Sequence, residues 1–399
     1  MKRFALNSFP LDGKNVFLRV DFNVPLHAGD VTSDRKIRAV LPTIEYLLQK
    51  RCTIILATHL DRPEGKVVES LRVAPLVKVL RQLLPSVPII ALPDCIGKEV
   101  RQAIAAGKPG TIYFLENLRF YREEEENDVA FAHALAEFAD FFVNEAFGVH
   151  SRNASVDAIT RFLPAAGGFL LEREIFELSK ALHPQRPAVW LIGGAKLDKI
   201  ELIKQVLKNA DRLLIGGALA FSFLRAKGFA VGHSKSDYDS IMTARKILKT
   251  RQASKIVLPV DFIAADSFSS RAKTSIVSAA DIPANEICLD LGPQTIELFK
   301  RHLRQARTIV WNGPLGYFEW AHFAVATRTI ARFIGTLTAT SICGGGETAE
   351  AIERYHLLDK ITHVSTGGGA ALSFLAGEKI PALTALEKNY VRFRKKIKW

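Results

Sequence analysis

A chain of 399 residues, 48% hydrophobic and 24% charged, carries apolar material for two or three domains of about 100–200 residues each and is excluded as a disordered protein. Its net charge of +13 suits three roles: nucleic-acid binding, a surface adapted to unusual conditions, or positive charge gathered at an anionic ligand. The basic residues are spread out and dense only in the terminal RFRKKIKW, so a solvated basic surface is the simplest reading and charge alone assigns no function.

Cys52, Cys95, Cys288 and Cys343 are isolated and lack CxxC spacing, the pattern of reduced thiols rather than a disulfide framework or zinc site. The apolar stretch behind the basic start is too short for a signal peptide, and no run approaches the roughly 20 residues of a membrane helix. A cytoplasmic protein is expected.

In chain order, short apolar runs alternate with amphipathic helical stretches. Strands are predicted at Val16–Val20, Thr53–Ala57, Thr111–Leu115 and Phe141–Val143, then at Ala188–Ile192, Arg212–Ile215, Lys255–Val260, Thr308–Trp311, Ser341–Cys343 and Ile361–Val364. IRAVLPTIEYLLQK and VAPLVKVLRQLL carry helical spacing between the first of them. The fold class expected is α/β, with parallel sheets flanked by helices. The strands are too many for one sheet. FLPAAGGFLLEREIFELSKALHPQRP is the least strand-like stretch, and a domain crossing is expected near residues 165–185. The acidic run Glu123–Glu126 reads as a solvated loop or helix start.

Ligands of open parallel sheets bind beyond the carboxyl ends of the strands, and the unusual polar residues of this chain fall there. RVDFNVP supplies Asp21 and Asn23, ATHLDRP supplies His59 and Arg62, LENLRF supplies Arg119, and FGVHSRNAS supplies His150 and Arg152. A lone arginine there is ordinarily a surface residue; several in one lobe suit a small anion, because guanidinium forks pair with phosphate and carboxylate. The second half uses glycine turns instead: LIGGAKLDK with Gly194, Lys196 and Lys199, LLIGGALA with Gly217, then WNGPLGYFE, CGGGETAEAI and HVSTGGGAA. Any one could be a tight strand-to-helix connection. Several at one sheet edge suit a phosphate-rich nucleotide. Neither GxxxxGK[ST] nor a dinucleotide GxGxxG is present.

RVDFNVP, THLDRP, LENLRF, GGAK, VLPVD, LGPQT, WNGPLGYFE, GGGETAEAI and VSTGGGA occur in the order of the phosphoglycerate kinase family, and the resemblance runs from about residue 4 to about residue 386. The resemblance implies two Rossmann-like lobes joined by a long helix and hinge: residues 1–167 binding 3-phosphoglycerate, 168–379 binding nucleotide, and 380–399 returning to the first lobe. It implies reversible transfer from 1,3-bisphosphoglycerate to ADP, giving 3-phosphoglycerate and ATP, with Mg²⁺. It also implies a monomer with neither a nucleic-acid nor a membrane partner. Carried over by position, Asp21, Phe22, Asn23, His59, Leu60, Asp61, Arg62, Arg119 and Arg152 surround the glycerate. Lys196 follows the transferring phosphoryl, assisted by Lys36 and the anion-binding turn at Gly368. Gly194, Lys199, Gly217, Gly292, Asn312, Glu319, Gly345, Gly346, Glu347 and Thr348 contact the nucleotide, with Glu347 on the metal.

Five positions depart from the family pattern. Lys36 stands where the family has its catalytic arginine, with Arg35 and Arg38 as the other candidates, and lysine lacks the guanidinium fork. Asp61 replaces a glycine, FGVHSRNAS is one residue short, Lys196 and Lys199 are three apart rather than four, and Glu347 replaces an aspartate. A relative that binds these ligands but scarcely catalyses is therefore the alternative reading.

Overall fold

The computed structural model describes residues 5–149, 151–195 and 200–394. The chain divides into two compact units, one holding the residues up to Ile175 and those from Lys379 onward, the other Phe176–Glu378.

In the first unit the strands are β1 (Asn15–Val20), β2 (Leu26–His27), β3 (Asp30–Val31), β4 (Thr53–Ala57), β5 (Ile89–Ala91), β6 (Ile112–Phe114), β7 (Phe141–Glu145) and β8 (Ala165–Gly167). Six form one sheet in the order β5-β6-β4-β1-β7-β8, every pair parallel. β2 and β3 make a small hairpin. β1 is central: the chain moves from it to β4 on one side and later reaches β7 on the other, so the loops after these strands open at a switch point. Helix Arg35–Gln49 turns Ile37, Val40, Ile44 and Leu47 onto Val16, Leu18, Ile54 and Leu56 in one buried cluster. Strand β8 was not expected from FLPAAGGF; its three small residues carry no β signal, and it forms by pairing along β7.

The C-terminal helix Pro381–Phe393 packs in this unit. Its buried Asn389 donates through Nδ2 to the carbonyls of Thr160 and Leu163, both at 2.7 Å, and accepts from the Ala165 N–H at 2.9 Å.

In the second unit the strands are β9 (Ala188–Ile192), β10 (Arg212–Ile215), β11 (Ile256–Val257), β12 (Asp261–Ala265), β13 (Thr274–Ser278), β14 (Ile287–Leu291), β15 (Thr308–Asn312), β16 (Thr340–Gly344) and β17 (His363–Val364). A parallel sheet runs β11-β10-β9-β15-β16-β17. β12 pairs antiparallel with β13 and β14 in a separate three-stranded sheet that the alternating sequence pattern did not reveal. The run expected as a strand to Val260 stops at Val257, ahead of Pro259, which has no N–H for a ladder.

All four cysteines are buried and free. Among the described residues no helix is long and apolar enough to cross a membrane.

Candidate functional site

In the first unit the loops beyond β1 and β4 bring Asp21, Asn23, Lys36 and His59 together. Lys36 Nζ lies 2.8 Å from Asp21 Oδ2 in a half-buried ion pair. Burial works to raise the Asp21 carboxyl, but the charge and hydrogen bond of Lys36, with the charge of Arg19, outweigh it and hold the group below its ordinary value. The Asn23 N–H donates to Asp21 Oδ1 at 3.2 Å, while Asn23 Oδ1 accepts from the Asp61 N–H at 3.0 Å. Of the three cations competing for one role, Lys36 is the one tied to Asp21. Arg38 is exposed and paired with Asp34 at 2.8 Å. Arg35 opens the helix one residue earlier, half-buried.

Asp61 adopts φ 52°, the left-handed region that aspartate tolerates better than most side chains. Its carbonyl accepts from Arg119 Nη1 at 2.8 Å, which draws Arg119 to the β4 loop. Arg119 Nε also stands 3.3 Å from Glu125 Oε1, while Arg62 is exposed. Phe22 and Leu60 are placed in the core. Phe22 packs edge-on to Phe114, and Leu60 has both backbone groups engaged by Asn117. Neither side chain is presented for contact. Arg152 is exposed, bonded to Asp157 at 2.6 Å, and lines a different groove with Arg161 and Arg392.

Under this cluster lies a buried network that the motifs did not bring out. Arg19 is 1% exposed; its Nε donates to Ser155 Oγ at 2.7 Å, and Nη2 approaches His59 Nδ1 at 3.2 Å. Ser155 in turn donates through Oγ to Glu124 at 2.6 Å, and Glu124 stands 3.6 Å from Arg19. Glu124 is fully buried, so the acidic run is not wholly solvated; one of its members neutralises Arg19. The signal for Arg19 was a charge inside the otherwise apolar strand NVFLRV. Nothing in four consecutive glutamates marks the buried one.

In the second unit a cavity of about 330 Å³ opens beyond β9 and β10. Gly194, Gly217, Glu319 and Glu347 line it, with Phe221, Phe262 and Phe268 supplying apolar wall. The turns beside it need glycine: Gly313, next to the lining Pro314, has φ 91°, and a Cβ there would meet the Gly193 carbonyl oxygen at 2.1 Å. Gly217 has φ 58°, with Gly194 N 2.5 Å from where a Cβ would sit. Asp290 forms part of the wall and accepts from the Leu291 and Ala326 N–H groups; burial pushes its carboxyl up to about 7. Lys235 lines the same cavity and carried no sequence signal.

Gly292, Asn312, Gly345, Gly346 and Thr348 do not line this cavity. Gly292 caps the helix Pro293–Arg304, and a Cβ there would sit 2.2 Å from the Asp261 carboxyl carbon. The Thr348 hydroxyl accepts from the Gly313 N–H at 2.6 Å, holding that turn. Asn312 ends β15 with both amide atoms buried and unpartnered among the described residues. Gly345, with φ 90°, caps the helix Gly346–Arg354, which places Glu347 in its first turn. Gly368, with φ 51°, precedes helix Gly369–Leu375. Lys196, Lys199 and His150 lie outside the described residues.

The family model described as phosphoglycerate kinase matches residues 6–378. A phosphoglycerate kinase of Moorella thermoacetica is 45% identical over 394 residues, covering 98% of this chain and all of that protein. One from Roseiflexus sp. is 44% identical over 392 residues, 97% of this chain and 99% of that protein. Among solved structures, phosphoglycerate kinase from Pyrococcus horikoshii superposes with a TM-score of 0.88 at 34% identity, over 98% of this chain and 100% of that one. The enzyme from Coxiella burnetii gives 0.84 at 36%, over 96% and 98%. With one fold, one motif order and one family running through almost its whole length, the chain belongs to the phosphoglycerate kinase family.

Proposed function

We propose that this chain is a phosphotransferase that moves a phosphoryl group reversibly from 1,3-bisphosphoglycerate to ADP, giving 3-phosphoglycerate and ATP, as a cytoplasmic monomer. The observation that carries the reading is the family match through residues 6–378, which spans both the strand-end cluster and the glycine-lined cavity.

Transfer from an acyl phosphate needs no protein nucleophile, because the attacking oxygen belongs to the nucleotide; the protein must align reactants and neutralise charge. Lys36, Arg62 and Arg119 supply cations for the glycerate carboxyl and phosphate, His59 a hydrogen-bond donor, and Asp21 and Asn23 acceptors for its hydroxyl. Arg152 turns to Asp157 and lines a different groove with Arg161 and Arg392, which favours leaving it out of the glycerate set. In the other unit the apolar wall takes the base, Glu319 at the exposed rim takes ribose hydroxyls, and the glycine turns give backbone N–H groups to phosphates.

A Mg²⁺ ion fits this equipment. Glu347, in the cavity lining, would offer the ion a carboxylate oxygen beside the phosphates of a bound nucleotide. When bound, it neutralises phosphate charge.

A coupled assay with ATP and 3-phosphoglycerate tests the proposal. Turnover that falls about 100-fold or more in Lys36→Met supports it, that being the order of loss for one transition-state donor. Intact ligand binding with no turnover in the unsubstituted chain would establish the alternative, a binding protein of this fold.

A further inference from the structure

Among the described residues lining the second unit's cavity, Lys235 is the one cation, and the transfer reaction gives it no part. It stands on the loop between helices Leu219–Ala226 and Tyr238–Leu248. Two hydrogen bonds tie that loop to β14 and the residue before it: the His233 N–H donates to the Glu286 carbonyl at 2.8 Å, and the Cys288 N–H donates to Ser234 Oγ at 3.0 Å. Lys235 is therefore held beside the start of β14. Phe268 belongs to the same end, because it follows β12, whose Ala265 pairs with Ile287. The Gly216–Gly217 turn meets the other end, where a Cβ on Gly216 would lie 3.4 Å from Leu291 Cδ1. Ile287 and Leu291 are separated by about 13 Å of extended strand, so the cavity has a glycine end and a lysine end.

Around the lysine end the wall is apolar. Phe268 is 58% exposed and meets Tyr317 edge to face at 5.1 Å, with Ile287 and Cys288 beside them. Such a wall holds a flat ring by its faces and reads nothing of the ring's polar edge. The acids next to the lysine loop are committed elsewhere. Asp237 takes the Ser240 N–H at 2.8 Å and its hydroxyl at 2.7 Å, and Glu286 takes the Ser275 hydroxyl at 3.1 Å. An ammonium donates and cannot accept, so its natural partner at this end is an acceptor on the base itself.

We propose that Lys235 sets the base preference of this cavity, which takes 6-oxopurine nucleotides, those of guanine and hypoxanthine, ahead of adenine nucleotides. The inference rests on the reading of this cavity as the nucleotide site of a kinase, and adds the class of base. A 6-oxopurine offers two adjacent acceptors, O6 and N7, the pair to which a lysine donates when it reads guanine in nucleic acids. Adenine has N7 beside an amino group, whose hydrogens oppose an ammonium. A phosphate is the less suitable partner for Lys235, because the glycine turns that offer N–H groups to phosphates lie at the far end of β14.

The test is steady-state kinetics of the full chain with 1,3-bisphosphoglycerate and ADP, GDP or IDP as acceptor. GDP and IDP are expected to exceed ADP in kcat/KM by about fivefold or more, the low end of discrimination by one such contact. Lys235 is exposed, so its substitutions leave the core intact. Lys235→Met should bring the ratio to about one, Lys235→Arg should keep it, and Lys235→Glu should invert it, because a carboxylate accepts from the adenine amino group. A preference for ADP in the unsubstituted chain overturns the proposal. So does a loss in Lys235→Met that is equal for all three nucleotides, which marks a ribose or phosphate contact, or a gain for GDP that IDP does not share, which marks the 2-amino group. If no nucleotide supports turnover, the kinase reading fails, and the ratio of GDP to ADP dissociation constants, measured calorimetrically in the same variants, decides the base preference by the same criteria.

Discussion

The Arg19 guanidinium and Nδ1 of His59 lie 3.2 Å apart in the interior of the first unit. Arginine has donors only, so Nδ1 must accept and the ring proton sits on Nε2. Burial, then the nearby charge of Arg19, hold the His59 pKa well below its ordinary 6.5; Arg119 and Lys36 act in the same sense, and Asp21 opposes them. The result is a neutral imidazole of fixed tautomer, with Nε2–H free to donate to a ligand.

Nitrogen NMR of the labelled protein is therefore expected to show His59 as the neutral Nε2–H form from about pH 8 down to about pH 5.5. Because the unfolded chain binds a proton here below about 6.5 and the folded one does not, this residue's contribution to stability is lost as pH falls through that value. An imidazolium signal for His59 in the folded protein near pH 6 would contradict the arrangement.

Asn312 makes an opposite pair of effects expected. An unpartnered buried amide costs stability by about 1–3 kcal/mol and repays that cost only when a ligand meets it. Asn312→Ala should leave the thermal midpoint of the free protein unchanged or higher, while ADP binding weakens about tenfold or more. Parallel losses of stability and affinity would instead mark Asn312 as a structural residue.

Glu145 is fully buried between Thr43 and the N–H groups of Leu170 and Leu171, and burial raises its carboxyl from 4.5 to about 7. The folded state thus holds a proton that the unfolded state has released, so stability falls as pH rises from about 4.5 through about 7. The size of the effect is about 3 kcal/mol. Urea unfolding at a series of pH values should show that slope, and Glu145→Gln should flatten it.

Asn389 ties the C-terminal helix to three backbone groups at 160, 163 and 165. Asn389→Ala strands two carbonyls and one N–H, and should destabilise the first unit by about 2–4 kcal/mol. The nucleotide affinity of the other unit should not change. Chemical unfolding followed separately from ADP binding checks both halves of this expectation.

Most strands of both parallel sheets, though not β5 (Ile89–Ala91), were legible because a buried parallel strand is a continuous apolar run, as in TIILA and AVWLI, and because ligand-facing residues collect where such runs end. Strand β8 and the antiparallel sheet of β12–β14 were not, since AAG carries no propensity and hairpin partners are chosen by pairing rather than pattern. Asp21, His59 and Arg119 could be named from their motifs. Their interplay could not, because Ser155 and Glu124, which hold Arg19 against His59, come from distant segments.

The order of apolar runs, glycine turns and strand-end cations, each a local pattern, determined the fold class, and the resemblance of nine ordered motifs pointed to the family. Which of Arg35, Lys36 and Arg38 meets Asp21, which of four adjacent glutamates is buried, and where Arg152 turns were decided only by tertiary structure. The reason is geometric: neighbours in sequence share composition, but helix phase and chain packing give each its own direction, and direction sets which charges meet.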